Sequence, residues 1–158
     1  LAVIFKCNIN NQQDFIIAGT ENSGPGNRMS VRRNGNLNSI QILGGSGAGS
    51  SIALGTPQNT ANEGEDLLLV VKFNGSNSTI RIDGEIENSG NIGTNPFLSL
   101  NVGANESELA PINGYIAELV FFEDSSAQEK MEGYLAHKWG TSSKLPQGHP
   151  YKFITPQA

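Results

Sequence analysis

The chain has 158 residues, of which 37% are hydrophobic and only 16% charged, with a net charge of −5. One domain of that length buries a core, roughly 70% of its unfolded surface. The acidic balance and scattered basic residues, with Arg32-Arg33 the lone adjacent pair, exclude a nucleic-acid binder working by phosphate neutralisation. No apolar run approaches the ~20 residues that span a bilayer, so membrane insertion is not expected.

The polar residues are mainly Asn, Ser, Thr and Gln, accompanied by 19 glycines. Such residues end strands and tolerate left-handed backbone angles, which favours many short strands joined by tight turns. In chain order, residues 1–9 read as a strand with Leu1, Val3, Phe5, Cys7 and Ile9 on one face. It is apolar on both faces, as a central strand is. The whole chain, 1–158, is therefore read as one domain of a larger polypeptide that lacks its N-terminal strands, with the first strand short of a partner on at least one side. Cys7 is a buried structural thiol on this reading, and being single it forms no intrachain disulfide.

After a polar turn at 10–13, residues 15–18 return as the second strand. A hairpin of 29–31 with 37–43 is expected around Asn34-Gly35, a type I′ dipeptide. Residues 44–51 form a Gly/Ser-rich loop without the Lys and spacing of a phosphate-binding loop. Residues 67–73 and 79–83 form a hairpin across Asn74-Gly75-Ser76-Asn77, and Asp83-Gly84 turns again. Residues 97–103 and 115–122 are the last strands. This succession reads as an antiparallel β-sandwich or barrel.

One helix follows. Ser126-Ala127-Gln128-Glu129 has the form of a capping box, Met131, Tyr134, Leu135 and Trp139 recur at helical spacing, and Gly140 stands at the C-cap. The helix is expected to cover one end of the sandwich with Trp139 buried, so that Trp139→Ala would cost about 3–5 kcal/mol.

Three segments, 114–119, 132–140 and the pair Leu145-Pro146 with His149-Pro150-Tyr151, resemble the C-terminal half of laminin G-like jelly-roll domains. These belong to the concanavalin A-like lectin and glucanase superfamily, and the likeness is to the bacterial surface and phage variety. Phe73-Asn74-Gly75-Ser76 and Ile80 to Gly84 resemble that family's central hairpin. The resemblance implies an all-β antiparallel sandwich, a concanavalin A-like jelly roll with one C-terminal α-helix. It implies function only weakly, because the same sandwich carries lectins, hydrolases and structural modules.

A retaining glycosidase needs two carboxylates on one face about 5–5.5 Å apart. Glu63-Gly64-Glu65 and Glu85-Ile86-Glu87 have the right alternation, but neither lies beside an aromatic sugar platform, and both read as solvated acids. His137 reads as a surface helix residue and His149 as a tail contact, so no catalytic residue is assigned and the chain is not read as an enzyme. The resemblance also implies Ca2+ on a rim loop, with Asn105, Glu106 and Glu108 as candidate ligands among Asn101 and Asn113; the loop carries no Asp, and a solvated polar loop is the plainer reading. Asn101, Asn105 and Asn113 are the candidate glycan contacts. Trp139 and Tyr134 are assigned to core packing rather than to a sugar platform.

The chain thus reads as a non-catalytic, lectin-like attachment module of a larger extracellular or virion protein or oligomer, binding glycan. The alternative is a structural surface, capsid-decoration or tail module that contacts neighbouring protein subunits.

Overall fold

Period-two placement of β-branched and aliphatic residues builds two antiparallel sheets, and their inner faces make the core. The computed structural model describes residues 1–8, 13–20, 28–45, 50–94, 99–105 and 110–156. Along them run β1 (Ala2–Cys7), β2 (Gln13–Thr20), β3 (Arg28–Asn34), β4 (Ser39–Gly45), β5 (Ser50–Gly55), β6 (Leu67–Lys72), β7 (Ser78–Ile82), β8 (Glu85–Gly90), β9 (Asn101–Val102), β10 (Gly114–Val120) and the helix α1 (Gln128–Lys138). One five-stranded sheet has the order β10-β1-β6-β7-β8 and the other β5-β4-β3-β2-β9. The fold is an antiparallel β-sandwich with a C-terminal helix, as expected.

Leu1, Val3, Phe5 and Cys7 point inward with Leu69, Val71, Ile80 and Ile82, and meet Ile17, Val31, Ile40 and Ile42 of the second sheet. On the opposite face, Ala2, Ile4, Leu68 and Val70 pack against Leu135, Ala136 and Leu145. β1 and β6 are apolar on both faces because each is covered on both sides. Each such buried aliphatic contributes on the order of 1.5–3 kcal/mol over its exposed state.

Several expectations are corrected. β1 is hydrogen-bonded along both edges, to β10 and to β6, so it does not lack a partner. The helix lies on the outer face of the first sheet, over β1 and β6, rather than across an end. The segment expected as a loop at 44–51 instead ends β4 and begins β5, which pairs with it; residues 46–49 lie outside the described residues. Of the strand expected at 97–103, only Asn101–Val102 is a strand, and 97 and 98 are outside the described residues. The expected ends at Ile9 and at 10–12 are likewise outside them.

The β3–β4 connection is not a two-residue turn at Asn34-Gly35. Asn34 pairs with Ser39, and the left-handed residue is Asn38, at φ 48°. The longer loop suits the buried Arg33, whose Nη2 donates to Asn38 Oδ1 at 2.5 Å and whose Nε donates to the Ala61 carbonyl at 2.9 Å. A buried guanidinium must be surrounded by acceptors. Asp83-Gly84 does turn as expected, with both residues at positive φ, 49° and 88°.

The capping box at Ser126 is also replaced. Asp124 accepts from the Ser126 amide at 2.8 Å and from its hydroxyl at 2.7 Å, opening a 3-10 turn, Ser125–Ala127, that leads into α1. An acid two residues back reaches the amide, so Ser126 is already inside the turn when the helix starts. At the other end the expected glycine cap forms: Gly140 has φ 73° and the Thr141 amide donates to the Ala136 carbonyl at 2.8 Å.

An aromatic face beside the helix C-terminus

A local irregularity in β10 creates the candidate site. The register with β1 slips between Ile4 and Phe5, so Glu118 stands opposite Ile4 while Tyr115 stands opposite Lys6. In a regular strand, residues three apart face opposite sides. The bulge turns Tyr115 and Glu118 to the same outer face, the one α1 lies on.

There the end of α1 meets them. Trp139 is 42% exposed and Tyr134 40%, which corrects their assignment to the core. Of the residues expected on the apolar face, Leu135 is buried and Met131 packs beside it, and Glu132, Gly133 and Ala136 complete the buried face. The Trp139 indole Nε1 donates to Glu118 Oε2 at 2.7 Å, and Lys138 Nζ lies 2.9 Å from the same carboxylate oxygen. Lys138 Nζ also donates to the Tyr134 hydroxyl at 3.1 Å and sits 5.3 Å from that ring's centroid. Hydrogen bonds from Lys138 and then Trp139 hold the Glu118 carboxyl below its ordinary range, and Glu118 in turn raises Lys138. The indole is thereby fixed at its polar edge with its ring half in solvent.

Between Trp139 and Tyr115 lies an open hollow of ≈330 Å³, lined also by Ile4, Ala117 and Asp66. Tyr115 is 47% exposed and its hydroxyl donates to Asp66, which raises the phenol above its usual range. Lys144 Nζ donates to the Asp66 carbonyl at 2.7 Å. A larger hollow, ≈420 Å³, opens at the other end of α1 around Phe73, Phe121 and Phe122. Its rings are phenyl groups with no hydrogen-bonding edge to offer a polar ligand.

The residues singled out from sequence are dispersed. Asn101 is in β9, and its Nδ2 donates to the Asn105 carbonyl at 2.9 Å, closing the loop after that strand. Asn113 precedes β10; its amide donates to Asp14 and its carbonyl accepts from the Asn8 amide at 2.7 Å. Glu106 and Glu108 lie outside the described residues. Among the described residues no three His, Cys, Asp or Glu side chains converge as a metal site would require. Of the paired acids, Glu63 lies 3.5 Å from the buried Arg33 and Glu65 3.5 Å from Lys144, so each is engaged with a different cation. Glu85 and Glu87 sit on the edge strand β8, where burial and then Glu85 raise the Glu87 carboxyl.

The histidines act in the packing. His149 is buried with Nε2 3.1 Å from Glu132 Oε2, and the same carboxylate accepts from Arg81 Nε at 2.6 Å. His137 lies half-buried rather than on the open surface, its Nε2 2.8 Å from the Tyr151 carbonyl. The tail is pressed close at Gly133, where a Cβ would stand 2.3 Å from Tyr151 Cβ. Cys7 is a buried thiol as expected; burial first, then Asp14, pushes it up to about 12.

The aromatic face went unseen in the sequence because Trp139 has an apolar helical spacing. The signal available was Glu118 in a strand otherwise apolar from Ile116 to Val120. No family model matches the chain, and no curated protein matches it either. Its structure is similar to that of the carbohydrate binding module CBM66 from Bacillus subtilis, at 8% identity and a TM-score of 0.46, over 64% of this chain and 61% of that one, so the chain matches less than two thirds of that module's length.

Proposed function

We propose that the chain is a non-catalytic glycan-binding module, serving attachment in a larger extracellular or virion protein, and that it binds through the Trp139–Tyr115 face. The observation that carries this reading is the half-exposed Trp139 whose indole N–H is locked on Glu118 beside a second exposed aromatic ring. A sugar offers an apolar C–H face and a rim of hydroxyls. A fixed indole matches the first, and the flanking Asp66, Glu118 and Lys138 match the second. An open hollow of this kind holds one or two sugar residues, so affinity per site is weak and multivalent display restores it.

A glycan array probed with the protein displayed on a multivalent carrier tests the reading. Binding competed by free sugar and abolished by Trp139→Ala supports it; a blank array, or binding unaffected by that substitution, removes it. A second reading, contact with neighbouring protein subunits, is favoured by Phe153 and Ile154, which stand exposed next to each other in the tail. Sedimentation showing a stable oligomer that Phe153→Ser disperses would support that alternative.

A further inference from the structure

The lining of the hollow carries one acidic side chain among apolar and aromatic ones. Of its five residues, Asp66 is the charged one, set among Ile4, Ala117 and the two aromatic rings. Asp66 Oδ1 accepts from the Tyr115 hydroxyl, while Oδ2 has no hydrogen-bond partner among the described residues. That carboxylate oxygen accepts hydrogen bonds from hydroxyl groups and repels another carboxylate or a sulfate. The nearby cations are engaged: Lys138 with Glu118 at 2.9 Å, and Lys144 with Glu65 at 3.5 Å and Asp83 at 3.8 Å. Lys6 stands across from Tyr115 in register. The rim therefore sets Lys6, Lys138 and Lys144 against Glu65, Asp66, Asp83 and Glu118. It offers an anion no net positive field.

We infer that the hollow takes a sugar residue bearing no acidic group and that Asp66 sets this choice, accepting from its hydroxyls and excluding acidic sugars. The inference rests on the glycan-binding reading and sharpens it. Charge repulsion from a fixed acid is a specificity device: it acts on the competitor rather than on the preferred ligand.

The test uses the single tryptophan as reporter. The intact protein and its Asp66→Asn variant are titrated with uncharged hexose oligosaccharides and with oligogalacturonate, following Trp139 emission. An uncharged oligosaccharide is expected to bind, with oligogalacturonate weaker by at least about tenfold. Asp66→Asn is expected to narrow that gap to within about threefold, since the amide keeps the shape and removes the charge. Oligogalacturonate binding as tightly as the best uncharged sugar would overturn the inference and leave the glycan-binding reading standing. An undiminished gap in Asp66→Asn would overturn the role of Asp66. Emission unmoved by every sugar, with a blank glycan array, would overturn both.

Discussion

At the residue scale, two side chains show how covering decides the role of a group. Trp139 is large and apolar, yet it stands half in solvent with its N–H on Glu118. Trp139→Ala should therefore lower stability by well under the ~3–5 kcal/mol of a buried aromatic, while removing sugar binding. Thermal melts of the two proteins check the first half; a large loss of melting temperature would return Trp139 to the core. Cys7 is the reverse case, buried in the sandwich with its thiol raised from 9.0 to about 12. It should resist iodoacetamide at pH 8 in the native protein and react in urea. A raised folded-state value means the neutral thiol is favoured by folding. Its contribution is whole below pH 9 and is lost as pH rises from there toward 12. Stability of Cys7→Ala should accordingly fall less steeply across that alkaline window, as urea midpoints at several pH values would show.

At the element scale, the helix is held by a buried polar clamp as well as by its aliphatic face. Glu132 is fully buried and accepts from Arg81 of β7 at 2.6 Å and 3.1 Å, with His149 of the tail at 3.1 Å. One carboxylate thus ties the first sheet, the helix and the tail together. Removing one partner of a buried ion pair leaves the other charge without compensation. Glu132→Ala should cost about 3–5 kcal/mol by urea denaturation, and the loss should exceed that of Lys138→Ala, whose ion pair is exposed. Equal losses would mean that Arg81 finds another acceptor. The aromatic face depends on this clamp at one remove, since the helix that carries Trp139 is positioned by Glu132.

At the scale of the whole molecule, the two clusters share β1 and β6, which present one face to each. A helix docked on strands that also form the inner core should unfold together with them. Trp139 emission reports the helix end and far-UV circular dichroism the sheets, so their urea transitions should coincide. A helix signal that melts first would show the helix to be a separable lid. Much of this architecture was legible beforehand. The hairpin across 67–83 was read directly, because alternation and turn chemistry are local properties and Ile80 and Ile82 alternate with wet neighbours. The double-sided apolarity of β1 announced a central strand, and pairing on both edges agrees with it. The site itself was not legible. Helical spacing of Met131, Tyr134, Leu135 and Trp139 pointed to one buried face, whereas the face actually covered contains Glu132, whose partner Arg81 is 51 residues away. The class of fold and the inner core are legible in the residues alone, since these follow from periodicity within single strands. Which helix face is buried, and so whether the one tryptophan packs into the core or stands half in solvent, was decided by contacts between distant segments, which appear only when the bulged strand, the helix and the tail are brought together.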